Sequence, residues 1–142
     1  MQLTHIDHVG IAVADLDAAI AMYETAFGMR CVHQEVNTEQ GVREAMLQVG
    51  DSDSYLQLLA PLTPDSTIAK FLDRNGPGIQ QLAYRVDSVE EVSAHLRAQG
   101  MQLLYDEAKQ GTAGSRVNFV HPKSAGGVLV ELVEPGPDGI GH

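Results

Sequence analysis

The chain has 142 residues, 44% hydrophobic and 20% charged, which are ordinary values for one compact globular domain and exclude disordered and fibrous classes. Nine Lys+Arg stand against nineteen Asp+Glu, a formal net charge of -10, so neither nucleic acid nor an anionic membrane surface is an expected partner. The opening MQLTHIDHVG has no basic and apolar leader pattern and no apolar run is long enough to span a membrane, so the sequence reads as cytoplasmic. The single cysteine, Cys31, cannot form an internal disulfide, so stability must come from core burial.

Taken in chain order, alternation and helical periodicity predict a strand over 6–13, a helix over 15–27, and strands over 30–37, 43–49 and 54–60. Pro64-Asp65-Ser66-Thr67 followed by Ile68, Ala69, Phe71 and Leu72 reads as a short capped connector helix over 64–75, stopped by Asn75-Gly76-Pro77-Gly78. The chain then repeats itself. Ile6 to Val13 lies over Ile79 to Val86, which puts His8 on Gln81. Asp15 to Met29 lies over Asp87 to Met101, each opening on an acidic cap candidate and stopping at Gly28 or Gly100. Tyr55 to Pro61 lies over Leu129 to Pro135, which puts Gln57 on Glu131. Each half therefore reads as a βαβββ module, one over about 4–61 and one over about 78–135, in a single domain with a flexible tail over 136–142.

Successive strand residues point to opposite faces. Val9, Ile11 and Val13 form the apolar face of the first strand, as Leu56 and Leu58, Ala45, Leu47 and Val49, and Val130 and Leu132 do in theirs. His8, Gln57, Gln81 and Glu131 then share the opposite face, with Glu44, Met46 and Gln48. Each of the four alone is compatible with an ordinary hydrogen-bonded residue on a half-buried sheet. Their recurrence at repeat-related places points instead to a concave binding surface. One imidazole, one carboxylate and two amides suit an octahedral divalent ion, with Mg, Mn, Co, Ni or Zn as candidates and two positions open to water or substrate.

The segments IDHVGIAVADL, EQGVREAML, YLQLLAP, DSTIAKFLDRNGPGI, GSRVNFVHP and GGVLVELVEP resemble the methylmalonyl-CoA epimerase family of the vicinal oxygen chelate superfamily, from about Ile6 to Pro135. The resemblance implies an α+β fold in which two tandem βαβββ modules form a cupped mixed sheet with helices outside, and a homodimer. It implies a divalent metal held at the positions of His8, Gln57, Gln81 and Glu131, and an acyl-CoA thioester as substrate. It assigns the two bases of a 1,1-proton transfer to Glu44 and Glu131; the strand reading independently places both on the metal-bearing face. The family usually carries His-His where this chain has Gln80-Gln81, which turns the third ligand from imidazole to amide and weakens the pull on Co or Zn. The spacing that matches Gln57 to Glu131 matches Glu44 to Asn118, a candidate for orienting substrate. Lys70, Arg74, Arg116 or Lys123 is expected to offset the acidity for a polyanionic ester, and His5, His33, His95 and His142 read as non-functional. Two other readings stay open: a glyoxalase I-like metal-dependent isomerase, whose second ligand is usually acidic where Gln57 stands, and a non-catalytic small-molecule-binding protein of the same superfamily.

Overall fold

The computed structural model describes residues 3–137, so the His142 reading and most of the tail reading fall outside the described residues. Its elements are β1 (Leu3–Ala12), α1 (Leu16–Phe27), β2 (Arg30–Asn37), β3 (Val42–Gln48), β4 (Tyr55–Pro61), α2 (Thr67–Asn75), β5 (Gly78–Val86), α3 (Val89–Ala98), β6 (Lys109–Gln110), β7 (Arg116–Val120) and β8 (Val130–Glu134). The α+β class and its mixed strand pairing stand as expected. No helix among the described residues is long and apolar enough to cross a membrane. The chain divides into two compact units, one over Val9–Gln80 and one joining residues 3–8 to 81–137.

In the first unit β2, β3 and β4 are adjacent and antiparallel. Helix α1 starts where the Asp15 carboxylate accepts the Ala18 N–H at 3.0 Å, a cap that stabilises by about 1 kcal/mol. It ends at Gly28, whose φ of +68° is a left-handed conformation that glycine adopts without steric cost. Leu16, Ala19, Ile20 and Tyr23 recur at helical spacing and pack on Ala45, Leu47, Leu58 and Ala60, the expected core face of β3 and β4. A fully buried Leu such as Leu47 or Leu58 contributes roughly 1.5–3 kcal/mol. Val49, expected in this core, lies past the end of β3 and is 37% exposed, because the chain already turns there with the Ser52 N–H donating to the Val49 carbonyl. Helix α2, capped by Ser66, lays Ile68, Phe71 and Leu72 against Ala12, Val42 and Leu59, and so covers part of the face opposite α1.

In the second unit β5 runs parallel to β8, which pairs antiparallel with β7, and β7 with β6. Ser88, not Asp87, caps α3: its hydroxyl accepts the Glu91 N–H at 3.2 Å, while Glu134 accepts the Val89 N–H at 3.1 Å. Val89, Val92 and Leu96 cover Val86 and Leu132. The second strand of this module is reduced to the two-residue β6, because Tyr105-Asp106-Glu107 offers no alternating apolar face to pair.

Candidate active site and metal centre

In the unit that holds residues 3–8 and 81–137, β5 and β8 align Ala83 with Glu131. Gln81 lies two residues before Ala83 and so shares its face. That geometry brings the Gln81 Nε2 to 2.6 Å from Glu131 Oε1. His8 meets the same pair: its Nε2 lies 3.0 Å from Glu131 Oε1 and 3.5 Å from Gln81 Nε2. The other ring nitrogen, Nδ1, lies 2.8 Å from Asp7 Oδ2, and Asp7 Oδ1 accepts the Arg85 Nε–H at 2.9 Å. Asp7 and His8 are completely shielded from solvent. Burial by itself drives the His8 ring toward its neutral form, yet the Glu131 and Asp7 carboxylates facing its two nitrogens outweigh it and raise its pKa to about 9. Each ring nitrogen thus faces a carboxylate oxygen at hydrogen-bonding distance.

In the other unit Gln57 stands opposite Met46 and Glu44 opposite Leu59, so Gln57 and Glu44 are diagonal neighbours on one sheet face. The Gln57 amide donates to Glu44 Oε2 at 3.0 Å. Both side chains are buried, Glu44 with only 3% of its surface exposed. A buried carboxylate is costly unless its oxygens are met by donors, and the amide contributes that compensation.

Among the described residues no group of three or more His, Cys, Asp and Glu side chains is arranged to hold a metal ion. The donor chemistry of the His8, Gln81 and Glu131 cluster nevertheless fits a divalent ion. Neighbouring ligands of a first-row ion bound at about 2.1 Å stand roughly 3 Å apart, the spacing at which these three groups already sit. An imidazole that donates its far N–H to a carboxylate is the usual arrangement of a ligating histidine. Turning the Gln81 amide end over end presents its oxygen, the ligating atom, in place of nitrogen.

Asn118 does not stand where Glu44 stands in the other half. Glu44 lies opposite Leu59, and the repeat counterpart of Leu59 is Val133, which lies opposite Val117. Asn118 instead pairs with Leu132 on the side that α3 covers. Its side chain accepts the Tyr105 and Phe119 N–H groups and donates to the Tyr105 carbonyl, so it braces the chain between α3 and β6 rather than facing a substrate. Arg116 is likewise committed, bridging Glu90 and Glu134, and is withdrawn as an offset for a polyanionic ester. His33 pairs with Glu35, and His121 accepts the Lys123 N–H through Nδ1. Asp7 and Arg85 were not singled out by the sequence, because adjacent strand residues normally face apart and nothing in the spacing announces the turn of Asp7 toward His8.

Comparison with known proteins adds what geometry alone leaves open. Residues 7–119 match the family model described as the glyoxalase/bleomycin resistance protein/dioxygenase superfamily. The chain is 37% identical to the mitochondrial methylmalonyl-CoA epimerase of Homo sapiens, covering 92% of this chain and 73% of that one. It is 58% identical to the crystal structure of methylmalonyl-CoA epimerase from Mycobacterium tuberculosis, with a TM-score of 0.93 over 96% of this chain and 91% of that one. A variant of the Streptomyces coelicolor methylmalonyl-CoA epimerase, in complex with 2-nitronate-propionyl-CoA, is 47% identical with a TM-score of 0.91, covering 94% of this chain and 98% of that one.

Proposed function

Because the chain belongs to the methylmalonyl-CoA epimerase family of the glyoxalase/bleomycin resistance protein/dioxygenase superfamily, we infer that it is an isomerase interconverting the (2R) and (2S) forms of methylmalonyl-CoA. The observation on this chain that carries the reading is that two buried glutamates, Glu44 and Glu131, are each held by a glutamine amide.

The reaction inverts the carbon between a thioester and a carboxylate. One base removes the α-proton from one face, and a second group returns a proton to the other. We assign these roles to Glu44 and Glu131. The Gln57 amide fixes the Glu44 carboxylate through Oε2, which restricts how it meets a substrate proton. The contacts of Glu131 to His8 and Gln81 both run through Oε1, and Oε2 is the oxygen assigned to the proton. Burial of both carboxylates excludes the bulk water that would otherwise compete for the exchanged proton.

The family implies a divalent metal, and the proposed ligands are those read from the sequence: His8, Gln57, Gln81 and Glu131. When bound, such an ion stabilises the negative charge that develops on the thioester oxygen. A homodimer is the proposed assembly and an acyl-CoA thioester the proposed substrate class.

The deciding experiment follows the α-proton of (2S)- or (2R)-methylmalonyl-CoA by NMR in deuterated water, with cobalt-loaded protein against a metal-stripped control. Metal-dependent loss of the signal with formation of the other epimer is expected. Exchange no faster than the control would sink the metal-dependent reading.

A further inference from the structure

We propose that Asp7 and Arg85 are positioning residues for His8: the Asp7 carboxylate, clamped by Arg85, keeps the ring proton on Nδ1 and so holds Nε2 toward Gln81 and Glu131. This rests on the reading of His8 as a metal ligand and adds two residues to it.

The argument begins with the inventory of donors. An ionised carboxylate accepts only, and a guanidinium donates only. Asp7 Oδ1 takes the Arg85 Nε–H at 2.9 Å, and Asp7 Oδ2 faces His8 Nδ1 at 2.8 Å. Nδ1 must therefore be the donor in that contact, whatever the charge on the ring. The proton on Nδ1 is what makes Nε2 the coordinating nitrogen once the ring is neutral, and Nε2 is the atom that meets Glu131 at 3.0 Å. The clamp has no slack. Asp7 is fully buried, the guanidinium approaches from β5, and Thr4 Oγ1 donates to the Arg85 carbonyl at 3.2 Å to tie the same stretch of β5 to β1.

Two carboxylate oxygens serve two donors, of which only the guanidinium is an obligate one, and an amide cannot accept from both in the same way. In Asp7→Asn only one oxygen remains. Arg85 can only donate, so it keeps that oxygen and turns the amide NH2 toward His8. The ring then has to accept at Nδ1 and carry its proton on Nε2, which blocks coordination. Removing the guanidinium as well, in Asp7→Asn with Arg85→Met, returns the amide oxygen to His8.

The test reads the ring itself by 15N-edited NMR of the full-length protein, with the His8 signals assigned by their loss in His8→Gln. Wild type is expected to show a protected Nδ1–H signal and, at a pH where the ring is neutral, the Nδ1–H tautomer. Asp7→Asn is expected to switch the tautomer to Nε2–H and to weaken calorimetric Mn(II) binding by about 10–100-fold, the usual effect of losing such a partner. The double variant is expected to restore the Nδ1–H pattern and part of the affinity. An unchanged tautomer in Asp7→Asn, or no restoration in the double variant, overturns the proposal. Arg85→Met alone keeps both carboxylate oxygens and is expected to retain the Nδ1–H signal with faster solvent exchange; an unchanged rate overturns the role of Arg85, even if Asp7→Asn fails to fold. Wild-type protein that binds no Mn(II) would defeat the ligand reading of His8, while the ring spectra still decide whether Asp7 sets the tautomer.

Discussion

The Oε1 atom of Glu131 lies 3.0 Å from Nε2 of His8, a contact between residues 123 positions apart in sequence. The two meet because the first strand of the chain and β8 both present their polar residues on the face that Gln81 shares. Once met, they form a largely buried polar cluster with Gln81, supported by Asp7 behind His8. A cluster of that kind rigidifies only when fully satisfied, so its parts respond differently to substitution.

Glu44→Gln keeps the volume and the hydrogen bond to Gln57 available but removes the basic oxygen. Turnover in at least one direction is expected to fall by 10²-fold or more, the usual contribution of a general base. Calorimetric affinity for Mn(II) should stay within about twofold of wild type, since the change spares every proposed ligand. Unchanged epimerisation in the NMR exchange experiment would remove Glu44 from the mechanism.

Gln81→His tests the amide at the third ligand position. Imidazole favours Co(II), Ni(II) and Zn(II) over the harder Mg(II) and Mn(II). The ratio of Co(II) to Mn(II) affinity is expected to rise by about tenfold or more in the variant. An unaltered ratio would show that Gln81 is not in contact with the ion.

Asn118→Ala separates a structural polar residue from the site. It leaves the Tyr105 and Phe119 N–H groups and the Tyr105 carbonyl without their side-chain partner. A loss of about 1–3 kcal/mol in urea unfolding is expected, with the catalytic exchange rate of the folded variant within about twofold of wild type. A selective rise in KM without a loss of stability would restore it as a substrate contact.

Cys31 is half-buried and donates its thiol to the His33 carbonyl at 3.7 Å. Burial pushes its pKa above the ordinary thiol value, with the nearby Glu24 carboxylate adding to the effect. The thiolate is the reactive form, so modification by a disulfide reagent is expected to be slower at pH 8 than for a model thiol and to accelerate as pH rises further. Reaction at the model rate near pH 8 would contradict the shielding.

Much of this site was legible before any coordinates. The repeat pairs His8 with Gln81 and Gln57 with Glu131, and alternation turns those pairs to the polar face, because a strand has a strict two-residue period. Asp15 and Gly28 marked helix ends correctly, since capping is a local hydrogen-bonding preference that needs no tertiary partner. Asn118 shows where that reading stops. The repeat spacing changes by one residue between its first and last matching strands, and a one-residue slip reverses every face, so only the pairing of Leu59 with Glu44 and of Val133 with Val117 decides the true counterpart.

The sequence by itself determined the βαβββ repeat, the residue types on each strand face, and thus the candidates His8, Gln57, Gln81, Glu131 and Glu44, because these follow from local periodicity. The tertiary structure decided which of them touch, the commitment of Arg116 to Glu90 and Glu134, and the clamp from Arg85 through Asp7 to His8. Hydrogen bonds between residues far apart in sequence depend on strand register and side-chain direction, and neither is encoded in the spacing of a single segment.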